Sequence, residues 1–283
     1  MAIRKVGVVG CGLMGSGIAQ TCAQNGYDTV VLEVSQPLLD KGITRIHEAW
    51  DMMAGKGKLT SGQVDENHTR LHGTLTMEDF ADCDLVIEVA IENMEAKLKL
   101  FPALDHVVKP AGLLVSNTSS LNVTQMGAVT KRPDKVCGLH FFNPAPVMKL
   151  VEIVKTISTS DETITTVRQF ATSLDKTPVL SKDTAGFIVN FLLIPYLLAA
   201  VRMVENGMAT CEDIDTAMKL GCGYPMGPFT LLDYVGLDTT LWAAEAIYNE
   251  YKDPLYAPPP LLRRMVISGM YGKKSGKGFY NYQ

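Results

Sequence analysis

Six residues, Gly10-Cys11-Gly12-Leu13-Met14-Gly15, constrain this chain more than any other stretch of it. They follow the apolar run Lys5-Val6-Gly7-Val8-Val9, which reads as a buried strand. They open a stretch, Leu13 to Asn25, that reads as a helix stopped by Gly26. G-x-G-x-x-G is a weak pattern alone, but between a strand and a helix it makes a specific demand on the backbone. Gly10 permits the tight turn, Gly12 lets a pyrophosphate approach the main chain, and Gly15 lets the helix pack close to the sheet. The N–H groups of Leu13 and Met14 then head a helix whose N-terminus carries partial positive charge. The next strand, Thr29-Val30-Val31-Leu32-Glu33, ends on an acid about 20 residues after the turn. A carboxylate there accepts hydrogen bonds from ribose hydroxyls and repels a 2′-phosphate. Val34 and Ser35 follow, with no Arg to welcome one, so NAD is expected over NADP.

The order of elements agrees with such a turn. A second helix is expected from Pro37 to Met53, before a Gly/Lys turn at Gly55 to Lys58. Leu85 to Val89 and Leu113 to Ser116 read as strands with a helix between them from about Met94. Val136 to His140 and Leu150 to Lys155 read as strands with no helix between them. Apolar strands alternating with helices predict a Rossmann-type, mostly parallel α/β sheet covered on both faces. After about residue 185 the pattern is helical throughout: about 186–206, 211–220, 228–235, 237–250 and 258–269. The expected domains are therefore 1–185, binding NAD, and 186–283, an all-α domain for substrate and dimerisation. About 150 residues per domain gives the same count for 283 residues.

Composition enters by exclusion. The 26 basic and 30 acidic side chains leave a net charge of −4, so nucleic acid is not expected as a partner. The six cysteines are scattered without a C-x-x-C pair, which argues against a metal site and a disulfide framework and for a reducing cytoplasm. The chain enters its first strand within five residues, leaving no room for a targeting peptide. Gly186 to Val204 is apolar, but Asn190 and Pro195 interrupt it and Arg202 and Glu205 bound it. A buried helix, or one covered by a second copy of the chain, suits it better than a membrane span.

Two polar side chains stand among aliphatic ones: His140 at the end of its strand, and Glu152 within Leu150-Val151-Glu152-Ile153-Val154. A buried carboxylate needs a partner. Adjacent strands can set Glu152 against one nitrogen of His140, fixing the tautomer and leaving a general base for a hydroxyl proton. A purely structural pair, or an outward Glu152, fits the spacing equally.

Five runs, in order, resemble the L-3-hydroxyacyl-CoA dehydrogenases over the whole chain, particularly the compact bacterial 3-hydroxybutyryl-CoA members. They are Gly10 to Ala19, Ser116-Asn117-Thr118-Ser119-Ser120-Leu121, Gly138 to Pro144, Asp183 to Asn190, and Gly223-Tyr224-Pro225-Met226-Gly227-Pro228. The resemblance implies His140 as the base, Glu152 as its orienting carboxylate, Ser119 on the substrate's 3-oxygen and Asn190 on the substrate carbonyl or oxyanion. It implies that Asn143 supports the histidine region and lies in the cofactor site. Glu92, Lys97, Ser119 and Lys274 would contact NAD, and Lys56 and Lys58 the phosphates of coenzyme A. It further implies a homodimer through the helical domain and a substrate lying between the domains. Two positions depart from the family. Ile46 stands where the animal enzymes carry a coenzyme A-contacting serine, and Phe191 where an Arg often follows Asn190. The expected reaction is reversible, NAD-dependent oxidation of an (S)-3-hydroxyacyl-CoA, with acetoacetyl-CoA foremost as the oxo form. The length suggests a single-activity enzyme with no fused hydratase. Two other readings are dehydrogenation of a free 3-hydroxy acid or sugar acid, against which Lys56 and Lys58 argue, and a non-catalytic NAD-binding protein. The last predicts a decayed polar site, whereas Ser119, His140, Asn143, Glu152 and Asn190 are all present.

Overall fold

Strands that are apolar at every position pair with one another because only burial on both faces satisfies them. In the computed structural model, which describes residues 2–282, that rule sets the centre of one sheet. Strands β1 (Lys5–Val9), β4 (Leu85–Glu88) and β5 (Leu113–Ser116) are buried almost throughout and lie side by side, all parallel. With β2 (Asp28–Leu32), β3 (Leu71–Thr74), β6 (Val136–Phe141), β7 (Leu150–Lys155) and β8 (Thr177–Lys182) the order is β3-β2-β1-β4-β5-β6-β7-β8. The connection between β6 and β7 holds no helix, so these two run antiparallel, placing His140 directly opposite Glu152. The helices of this unit are α1 (Leu13–Gln24), α2 (Gln36–Gly55), α3 (Ser61–Arg70), α4 (Met94–Val107), α5 (Val123–Ala128) and α6 (Asp161–Ser173).

The chain divides into two compact units, Met1–Asp183 and Thr184–Gln283. The second holds α7 (Val189–Glu205), α8 (Cys211–Cys222), α9 (Pro228–Val235), α10 (Leu237–Tyr251) and α11 (Pro260–Ile267) around their own apolar core. The helix expected from residue 186 starts at Val189 instead. Gly186 (φ 82°) and Phe187 (φ 49°) both take left-handed backbone, which an α-helix does not continue through. Among the described residues no helix is long and apolar enough to cross a membrane.

Helix α4 is fastened at its C-terminal end by one side chain. The half-buried Arg132 donates from Nε to Asp105 Oδ1 (2.6 Å) and from its Nη atoms to the carbonyls of Asp105, Val108, Lys109 and Gly112. The cation thus meets carbonyls that no helical N–H can reach. Replacing Arg132 by Leu removes this donor from the carbonyls of Asp105, Val108 and Gly112 and leaves the Asp105 carboxylate with the Lys131 N–H and no cation. It is expected to lower unfolding free energy by about 3–5 kcal/mol, read from urea denaturation.

Candidate functional site

The glycine turn lies where β1 gives way to α1, and its three glycines meet three different conditions. Gly10 has φ 97°, and a Cβ on it would sit 2.8 Å from the Val89 carbonyl oxygen. A Cβ on Gly15 would sit 1.9 Å from the Gly10 carbonyl oxygen, so helix and turn pack with no room for a side chain. Gly12, the residue before α1, is in ordinary extended backbone, and a Cβ on it meets nothing within 4 Å. The space over Gly12 is therefore open, and no side chain caps the helix there. Open space, a bare helix N-terminus and exposed main chain fit a pyrophosphate. Glu33 leans on the same turn: Oε1 accepts from the Cys11 N–H (2.7 Å) and Oε2 from the Val34 N–H (2.9 Å). Its carboxylate is held at the end of β2, where ribose hydroxyls can share it. Nearby on α2, Arg45 donates to Ser16 Oγ at 3.1 Å, a basic group beside the turn that no motif announces.

The next groups come from β4, α4 and the segment after β5. Glu92 Oε1 accepts from Thr118 Oγ1 (2.5 Å) and from the Ser119 N–H (3.3 Å). Lys97 is buried, with Nζ 2.5 Å from Glu88 Oε1 and 3.4 Å from Glu92 Oε2. Glu88, fully buried at the end of β4, was not singled out from sequence; its apolar neighbours Val86, Ile87 and Val89 are the signal that could have found it, as they did for Glu152. Ser119 is half-buried, and its hydroxyl makes no hydrogen bond among the described residues.

His140 closes this arrangement. Its Nδ1 lies 2.7 Å from Glu152 Oε2, both side chains being buried. An ionised carboxylate only accepts, so Nδ1 carries the proton and Nε2 is the acceptor nitrogen of the ring. The Phe142 ring packs on the imidazole at 4.5 Å between centroids. The end of β6 is tied to β5 by Asn117, whose Oδ1 accepts from the Phe141 N–H (2.8 Å) and whose N–H donates to the Glu88 carbonyl (2.8 Å). Asn143, expected to support the histidine, is exposed beside the cis bond to Pro144; Asn117 is the amide that braces this strand.

The remaining sites lie elsewhere on the two units. Lys56 and Lys58 are exposed where α2 ends. Ile46, which stands where the animal enzymes carry a serine, is fully buried in the core of the first unit. In the second unit, Asn190 is half-buried in the first turn of α7. Phe191 packs against Tyr256 (5.2 Å) and Tyr251 (5.5 Å), an aromatic contact that accounts for a ring where an Arg is usual. Lys274 pairs with Asp238 Oδ2 at 2.7 Å and lies 5.7 Å from the centre of the Tyr271 ring.

A dinucleotide turn on a mostly parallel sheet, with an acid at the end of β2 and a histidine–carboxylate pair on the neighbouring strands, defines an NAD-dependent dehydrogenase. The chain belongs to the 3-hydroxyacyl-CoA dehydrogenase family. Residues 5–184 match its NAD binding domain and residues 186–282 its C-terminal domain. It is 47% identical to the 3-hydroxybutyryl-CoA dehydrogenase of Mycobacterium tuberculosis, over 99% of each chain. A probable 3-hydroxybutyryl-CoA dehydrogenase of Deinococcus radiodurans is 46% identical, over 98% of this chain and 100% of that one. The crystal structure of (S)-3-hydroxybutyryl-CoA dehydrogenase from Ralstonia eutropha superposes with a TM-score of 0.96, at 41% identity and full coverage of both chains.

Proposed function

We propose that this enzyme interconverts (S)-3-hydroxybutyryl-CoA and acetoacetyl-CoA, and that the His140–Glu152 pair moves the proton. The observation that carries the reading is the 2.7 Å contact from His140 Nδ1 to Glu152 Oε2, which makes Nε2 the basic nitrogen of the ring. NAD⁺, bound over Gly10, Gly12, Leu13, Met14 and Gly15 with its ribose on Glu33, supplies the acceptor for the hydride leaving C3. His140 Nε2 takes the hydroxyl proton as the C3–O bond becomes a carbonyl; in reduction the imidazolium returns it. Ser119 Oγ donates to the 3-oxygen, and Asn190 donates to the thioester oxygen. Glu92 and Lys97 border the nicotinamide end of the cofactor, with Asn143 and Lys274 as further contacts to it. Lys56 and Lys58 meet the phosphates of coenzyme A.

The test follows NADH oxidation with acetoacetyl-CoA, free acetoacetate, acetoacetyl-pantetheine and longer 3-oxoacyl-CoAs. The CoA thioester of the four-carbon acid is expected to be the best substrate. Lys56→Ala with Lys58→Ala is expected to raise KM for acetoacetyl-CoA about tenfold, one charge-assisted contact's worth, and to leave the pantetheine KM unmoved. Faster turnover of free acetoacetate would reject the reading.

The same proposal places a twofold dimer on α7. Ile188, Leu192 and Met203 form an exposed apolar stripe at helical spacing, Leu192 being 67% exposed. An apolar stripe on a helix is covered in isologous dimers. Light scattering is expected to give twice the chain mass at micromolar concentration; a monomer would remove this part. All six cysteines are free, which supports a reducing cytoplasm as the enzyme's compartment.

A further inference from the structure

The reaction just described leaves Glu88, the buried partner of Lys97, without a task. Glu88 is 0% exposed and Lys97 1%, with Nζ 2.5 Å from Oε1. Such a pair gains little over packed hydrocarbon, because desolvating both charges offsets their attraction. Its connections supply a different account. Glu88 Oε1 also accepts from the Ala90 N–H (2.8 Å), and Oε2 accepts from Ser116 Oγ (2.5 Å). Ser116 Oγ in turn accepts from the Thr118 N–H at 3.2 Å. On the other side, Lys97 reaches Glu92 Oε2 at 3.4 Å, while Glu92 Oε1 holds the Thr118 hydroxyl and the Ser119 N–H. Both routes from Glu88 end on the turn that carries Ser119.

We propose that Glu88 is a positioning residue: its buried carboxylate anchors the Lys97 ammonium beneath Glu92 and, through Glu92 and Ser116, fixes the 118–120 turn. This rests on the reading of Ser119 and Glu92 given above. The two distances express the mechanism. The ammonium is held closely by Glu88 and loosely by Glu92, so Glu92 is tethered without being drawn off Thr118. Remove the charge of Glu88 and the ammonium is left to Glu92 alone. Glu92 then shifts inward, and Ser119 loses its alignment with the 3-oxygen.

The experiment measures acetoacetyl-CoA reduction at saturating NADH, where a lost cofactor contact no longer limits the rate but a misaligned Ser119 still does. Glu88→Gln keeps the shape and an acceptor for the Ala90 N–H. It is expected to lower kcat about 10–100-fold, the scale of a displacement near 1 Å. Glu88→Asp, which keeps the charge, should recover most of that loss. The double variant Glu88→Gln, Lys97→Met removes both charges and should fold at least as stably as the parent in urea. Its kcat should nevertheless stay low, because Glu92 Oε2 then has no ammonium to tether it. Wild-type kcat in Glu88→Gln overturns the proposal. So does a double variant whose only defect is a raised KM for NADH, and this second arm decides the matter if the single variant does not fold. Failure of the underlying reading looks different: the unaltered enzyme would not reduce acetoacetyl-CoA, whatever stands at position 88.

Discussion

Replacing His140 by Gln is expected to lower turnover by about 10²–10⁴-fold while NADH binds as before. The two halves of that expectation have separate grounds. Gln matches the imidazole in polarity and can keep a hydrogen bond to the buried Glu152 carboxylate. The strand pairing that sets residue 140 against residue 152 is main-chain work and does not depend on the ring. The glycine turn lies on β1 and α1, apart from this pair, so cofactor affinity should hold. What Gln lacks is a ring nitrogen that takes and returns a proton. Single-turnover absorbance of NADH, with cofactor affinity from fluorescence titration, separates the two halves. Turnover near the parent's would remove His140 from the chemistry and leave the His140–Glu152 contact as packing.

The parts of this protein legible in its sequence are those where burial and chemistry demand the same residues. Leu113 to Ser116 is read as a strand and is β5 to the residue; Pro228 to Val235 likewise matches α9. His140 and Glu152 stood out because they are polar groups on strands buried on both faces, where burial calls for a hydrogen-bond partner. The segments that escaped notice are those with little apolar pattern. Helix α3 buries only Val64 and Asn67, and its one local signal is the capping box in which Thr60 and Gln63 bond reciprocally. Strand β8 is an edge whose only buried residue is Ser181. Glu88 escaped for another reason. Its partner Lys97 stands nine positions on, a spacing that no single helix or strand explains, since the pair joins the end of β4 to the first turn of α4. At Ile46 helix phase is informative: the departure from the animal enzymes' serine falls on the buried face of α2.

Helix phase and open space likewise decide what a substitution in the glycine turn does. Gly12→Val is expected to raise KM for NADH by at least about 10²-fold and to leave thermal stability near that of the parent. The backbone at Gly12 (φ −65°, ψ −163°) is extended, and a Cβ there touches nothing within 4 Å, so the protein leaves room for a side chain to begin there. A pyrophosphate seated on the N-terminus of α1 does not, because the valine methyls would occupy the space through which it reaches the Leu13 and Met14 N–H groups. The neighbouring glycine gives the control. Gly15→Val would drive a Cβ to 1.9 Å from the Gly10 carbonyl oxygen, so helix or turn must move before any cofactor arrives. That variant should lose stability and NADH binding together. A Gly12 variant that binds NADH as tightly as the parent would move the cofactor's phosphates off this turn. A Gly12 variant that unfolds would mean that the open space above the turn is not open in solution. Stability unchanged with affinity lost is the combination that only a ligand at Gly12 produces.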